Sequence, residues 1–175
     1  MPRATCMHGG KGSDILTARQ GDAQMKQLTT EFRAEFDPET RILLIRVGGR
    51  LTDESLAELY EASREFSATT NAKVGIADLS LVTEFAVSLE FIRYQAREEP
   101  ATDDPRIIVA PQEYAFGLFR MLQLLGEFTH PQLQVVHTLD EVFSALGIPP
   151  PHFKPLVVPA PFRTEYPRHI VAHEG

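Results

Sequence analysis

Four short apolar runs, at residues 42–47, 74–77, 107–110 and 133–137, are separated by stretches in which apolar residues recur every three or four positions. This alternation constrains the fold more than any other feature of the chain. Strands joined through helices pair mostly in parallel by right-handed crossovers, and the helices must then cover the sheet. Ahead of the first run, Phe32, Ala34 and Phe36 alternate with charged residues, and Asp37-Pro38-Glu39-Thr40 has turn chemistry. The domain is therefore expected to open with a β-hairpin. Thr52 is placed to cap a first helix carrying Leu56, Leu59, Tyr60, Ser63 and Phe66 on one face. A strand ending at Asp78 leads into a second helix marked by Phe85, Leu89, Ile92 and Ala96 and stopped by Pro100. Pro111 opens a third helix running to about Phe128, and Thr138 and Glu141 have capping-box spacing for a fourth that ends at Gly147. The predicted order is β-β-α-β-α-β-α-β-α: an α/β domain with a mixed, mostly parallel sheet of about five strands covered by about four helices.

The flanks differ from this body. Residues 1–30 are polar and glycine-rich without periodicity, and read as a disordered leader. Residues 148–175 contain seven of the thirteen prolines yet keep Phe153, Leu156, Val157, Val158, Phe162, Tyr166 and Ile170. Such an arm excludes helix and central strand, and its apolar content predicts that it runs extended across the body or onto a partner. The domain itself spans 31–147.

Charge and composition exclude several functions. Residues 31–147 carry ten basic and twenty acidic side chains, a net −10, which repels phosphate backbones, so no nucleic-acid partner is expected. No stretch longer than twelve residues lacks a charged side chain, too short for a membrane-spanning helix of about 20 residues. With one Cys and no secretory signal pattern, a cytoplasmic location is expected. No G-x-S-x-G elbow or dinucleotide fingerprint occurs, and Gly9-Gly10-Lys11-Gly12-Ser13 fails as a phosphate loop because Lys11 is not followed by Ser or Thr. His130, His137, His152, His169 and His173 do not form a ligand set at metal-binding spacing. Neither metal nor cofactor is expected, and no paired acid and base suggests an enzyme.

Two blocks resemble a known family. Val74-Gly75-Ile76-Ala77-Asp78-Leu79-Ser80, followed by a helix, is one. The other runs from Arg106-Ile107-Ile108-Val109-Ala110-Pro111 through Phe116-Gly117-Leu118-Phe119-Arg120-Met121 to Val135-Val136-His137-Thr138-Leu139-Asp140-Glu141-Val142-Phe143 and Gly147. Together they resemble the SpoIIAA-like, or STAS, family, best known as anti-sigma-factor antagonists. The resemblance is to a stand-alone branch related in fold to SEC14-type domains, and it implies the fold and a regulatory, partner-binding role. In the antagonist branch a Ser in an Asp-Ser-Ser/Thr-Gly-Leu-Gly loop is phosphorylated. Placed on this chain, that loop falls on Thr83-Glu84-Phe85-Ala86-Val87-Ser88, with Glu84 at the acceptor position. The resemblance therefore implies a module without the usual phospho-switch. Glu84 either imitates a phosphate or is an ordinary acid in the first turn of the second helix, where it interacts favourably with the positive end of the helix dipole.

The expected partner-binding residues are Thr83, Glu84, Ser88, Phe91 and Tyr94. The third helix has an inward stripe of Ala115, Leu118, Leu122 and Leu125, but Tyr114, Phe116, Phe119, Met121 and Leu124 spread apolar surface around its circumference. One buried face needs a stripe of only about 100°, so the surplus predicts a second contact: the C-terminal arm, a second copy, a protein partner or a small apolar or lipid-like ligand. The leading expectation is a non-enzymatic interaction module. The alternative is a carrier holding an apolar ligand between the third helix and the arm.

Overall fold

A computed structural model describes residues 30–156. The hairpin forms as expected: β1 (Glu31–Asp37) pairs antiparallel with β2 (Ile42–Thr52), with Phe36 opposite Leu43. Its turn is held by Asp37, whose carboxylate accepts from the Glu39 and Thr40 amides at 3.2 and 3.4 Å and from the Thr40 hydroxyl at 2.6 Å. These bonds to the charged form hold the Asp37 carboxyl below its ordinary pKa. Helix α1 (Asp53–Thr70) follows without a loop. Its N-cap Thr52 accepts from the Ser55 amide while the Ser55 hydroxyl accepts from the Thr52 amide, a reciprocal cap at 3.3 and 2.8 Å.

The remaining elements are β3 (Val74–Ala86), α2 (Leu89–Gln95), β4 (Arg106–Val109), α3 (Glu113–Leu125), β5 (Leu133–Val136), α4 (Leu139–Leu146) and β6 (Lys154–Pro155). The sheet order is β5-β4-β3-β2-β1-β6, with β2 through β5 parallel and β1 antiparallel to both its neighbours. The sheet thus has six strands among the described residues, one more than expected, because Lys154 and Pro155 add to the free edge of β1. The proline sits at an edge, where its missing N–H costs no ladder bond.

Helices α1, α2 and α3 share one face of the sheet. Leu56, Leu59, Phe66, Ile92, Leu118 and Leu122 pack there with Leu43, Ile45, Val47 and Val135. On the opposite face, Val142 and Phe143 of α4 pack with Ile42, Leu44, Ile76, Ile107 and Val109, joined by Phe153. The alternation of β2 residues between the two clusters is the period-two rule applied to a strand covered on both faces.

One element departs from expectation. β3 does not stop at Asp78 but runs on to Ala86, thirteen residues in all, pairing with β2 as far as Thr52 opposite Ala86. An acid in mid-strand is tolerated because Arg46 on the neighbouring strand meets the buried Asp78 carboxylate at 3.0 Å, and the Ser80 amide donates to it at 3.0 Å. The extension passes two register shifts in β2, one of them beside Gly49, whose φ of 80° an L side chain rarely adopts. Helix α2 consequently begins at Leu89, with Phe85 still in the strand.

Candidate functional site

The residues expected to bind partners separate into two groups. Thr83 and Glu84 lie in β3, not at a helix start, so the first-turn reading of Glu84 is overturned. Glu84 pairs with Arg50 on β2 at 3.1 Å, both side chains about half-exposed, and the Thr83 hydroxyl donates to the Gly49 carbonyl. Ser88 is the actual helix cap. Its hydroxyl accepts from the Phe91 amide at 3.1 Å, while its own amide and hydroxyl donate to Asp53 at 2.8 and 2.7 Å. This ties the start of α2 to the start of α1. Phe91, expected off the core stripe, is only 4% exposed and belongs to the core. The shift has a simple cause: with the helix starting at Leu89, four residues after Phe85, the inward face turns to Phe91 and Ile92.

On α3, Phe119 is likewise core, at 1% exposure, whereas Leu125 of the expected inward stripe is exposed. Met121 is packed against the core, and Phe116 stacks on His137 with ring centroids 3.9 Å apart. Tyr94, Tyr114 and Leu124 are exposed at 38%, 61% and 63%, and Phe128, just past the helix, at 91%.

These exposed residues are gathered along one pair of helices. Gln112 at the cap of α3 donates to the Val82 carbonyl at 2.8 Å, which ties the start of α3 to β3. At the other end, His130 Nε2 donates to the Gln95 carbonyl at 2.8 Å and the Thr129 hydroxyl to the Ala96 carbonyl at 2.6 Å. Tyr94 is thereby placed near the segment carrying Leu124, Leu125 and Phe128. The buried His130 is the pin of this end. Because a carbonyl faces Nε2 and Arg106 Nη2 donates to Nδ1 from 3.1 Å, both bonds require the neutral ring with its proton on Nε2. Burial, offset in part by the Gln95 bond and reinforced by the Arg106 charge, lowers the His130 pKa in agreement.

A second feature was not anticipated. Beneath α1 lies a cavity of about 70 Å³, walled by Leu43, Ile45, Leu59, Ala77 and Ile108, with Tyr60 and Arg106 among its lining residues. The C-terminal arm, as far as Leu156, lies at the opposite sheet edge from β4 and β5, bonded to the Ala34 carbonyl. The expected ligand space between α3 and the arm is therefore not formed by its described part, and residues 157–175 lie outside the described residues, as do 1–29. Among the described residues there is no cluster of three or more potential metal ligands and no helix long and apolar enough to cross a membrane.

The element order, the opening hairpin and the parallel β2–β5 pairing are those that the sequence periodicity predicts. Among solved structures, the chain is similar to an anti-sigma factor antagonist from Mycobacterium paratuberculosis, at 17% sequence identity and a TM-score of 0.42. The match covers 68% of this chain and 95% of that one. No protein-family model and no curated protein matches the chain.

Proposed function

We propose that this chain is a non-enzymatic regulatory domain of the SpoIIAA-like type that acts by binding a protein partner through the outer face of α2 and α3. The observation that carries this reading is the number of large apolar residues left exposed on that helix pair: Leu89 and Tyr94 on α2, Tyr114 and Leu124 on α3, and Phe128 beyond it. Isolated exposed apolar residues are ordinary on any protein, but five on two neighbouring helices and the turn that follows them are more than packing of the domain explains. Its aromatic content is also typical of contact centres. Regulation by phosphate at the Glu84 position has no place in this reading, since that residue is an acid held in a strand by Arg50.

The test is affinity capture with the wild-type chain and with a Tyr94→Ser, Leu124→Ser, Phe128→Ser variant, after confirming by circular dichroism that both fold alike. A protein bound by the wild type and lost by the variant supports the reading. Identical recoveries, or none with either chain, overturn it. Sedimentation of both proteins separates a second copy of this chain from a different partner.

A further inference from the structure

We propose that the cavity beneath α1 is a binding site for a small carboxylic acid with a short apolar tail, its carboxylate held by Arg106 and Tyr60. The reading is independent of the α2–α3 face, because the cavity opens under a different helix.

Three observations point to it. The first is the shape of the floor. Gly75 and Ala77 lie on β3, flanked on both sides by β2 and β4, yet both are only half-buried, so solvent reaches the middle of the sheet. Nothing in the backbone requires the glycine: it has no positive φ, and a Cβ there would meet only the Arg106 Cγ, at an ordinary 3.9 Å. A glycine within a strand weakens it, so one at the second position of β3 that the backbone does not need leaves room for something to approach closely.

The second is charge. Arg106 projects from β4 onto the cavity wall, where its Nε is buried and has no hydrogen-bond partner. Among the described residues no carboxylate lies within ion-pair distance of its guanidinium, which bonds instead to neutral His130. Arg106 is half-buried and feels the charge of Asp103 without forming an ion pair with it, so beside an apolar cavity its guanidinium keeps a donor, Nε, for a carboxylate.

The third is the polar complement. Tyr60 comes from α1 to the same cavity, and burial pushes its phenol up to about 12, so at neutral pH it offers an O–H donor. Ser63 donates its hydroxyl to the Leu59 carbonyl at 2.7 Å, which leaves its oxygen as an acceptor. The rest of the lining is mostly apolar, Leu43, Ile45, Leu59, Ile108 and Leu133 among it, with Ser67 and Thr102 as its other polar residues. The space, about 70 Å³, is about half the ~150 Å³ of a cavity that encloses benzene, which sets the enclosed tail at about three or four carbons. A single planar cation at one end favours an anion over a neutral hydrocarbon, and the small, mostly apolar space suits a carboxylate with an aliphatic tail better than a bulkier, more highly charged phosphate ester.

The test is a titration of the full-length ¹⁵N-labelled protein with butyrate, isovalerate and hexanoate, each paired with its neutral amide, read by amide chemical shifts. Saturable shifts at Ile45, Ala77 and Ile108, with the amide binding about ten-fold or more weakly, are expected from the loss of one charge-assisted contact. Arg106→Met should abolish the preference for the acid. Because that variant also loses the His130 bond, Gly75→Val serves as the second variant. It fills the floor, leaves the charge, and should remove binding while the unfolding midpoint is kept or raised. No saturable shift with any of the acids, equal binding of acid and amide, or undiminished binding by folded Gly75→Val would each overturn the proposal.

Discussion

Replacing His130 by Leu should destabilise the domain by about 2–4 kcal/mol near neutral pH, and by less as the solution is acidified. The ring is 1% exposed and makes two bonds: Nε2 donates to the Gln95 carbonyl at 2.8 Å, and Nδ1 accepts from Arg106 at 3.1 Å. Leucine fills much of the volume but leaves the Gln95 carbonyl and the Arg106 guanidinium without these partners. An orphaned buried polar group costs about 1–3 kcal/mol, and two of them, less the gain of burying leucine, give the range stated. His130→Gln recovers the Gln95 bond alone and should fall between. The acid dependence follows from the lowered pKa. A basic group whose folded pKa lies below its unfolded value of about 6.5 contributes stability that is present above about pH 6.5 and is lost as pH falls through the folded value, by at most about 1.4 kcal/mol per pH unit. Arg106 is the charged group facing the ring, so protonation would set a second cation against it. Urea unfolding of wild type and His130→Leu at about pH 7 and about pH 5 reads both effects, since titrations common to the two proteins cancel in the difference. A difference that stays constant over that interval would sink the assignment of a neutral, pinned imidazole.

Three further outcomes follow from the same geometry. Gly126→Ala should cost about 1–3 kcal/mol in unfolding free energy, because its Cβ would stand 2.6 Å from His130 Cδ2, on a ring that two bonds hold in place. A spectrophotometric titration should show one tyrosine, Tyr60, ionising only at about pH 12. The stability it contributes is complete below the unfolded value of about 10 and is lost as pH rises towards 12, and Tyr60→Phe should remove that late step. Glu84→Ala should change the unfolding free energy by less than about 1 kcal/mol, since its pair with Arg50 is half-exposed at both ends.

The layer architecture was legible because it rests on period and turn chemistry, both local. Thr52, Thr138 and Gly147 cap as their spacing implies, and the Asp37 turn closes the hairpin. The reach of β3 was not legible, and the reason is non-local. Asp78 reads as a strand end until Arg46, thirty-two positions earlier, is seen to neutralise it. The spacing of Phe85, Leu89, Ile92 and Ala96 fits a helix turn by turn, yet Phe85 pairs opposite Leu51 in the sheet. That error moved Glu84 to a helix start and turned Phe91 outward. On α3 the surplus of apolar residues was read as a second contact surface, and sequence could not say how those residues divide. Phe119 went to the core, Phe116 to His137, and Tyr114 and Leu124 to the surface. The cavity left one trace in the chain, Gly75 within a β-branched apolar run, and a glycine there is equally the mark of a bulge.

Arg106 is where the two candidate features meet. It forms part of the cavity wall beneath α1, and it also holds the imidazole that bonds the last turn of α2 through the Gln95 carbonyl. The same guanidinium therefore has one donor, Nε, left over for a ligand and another, Nη2, committed to the helix layer. Planarity ties these together: Nε and Nη2 lie in one rigid fork, so a carboxylate that draws Nε into the cavity must turn Nη2 with it. A lysine at this position would uncouple the two, since its ammonium rotates freely on a flexible stem. The geometry thus makes the guanidinium, and not merely a positive charge, the group shared by the cavity wall and the bond chain to the last turn of α2.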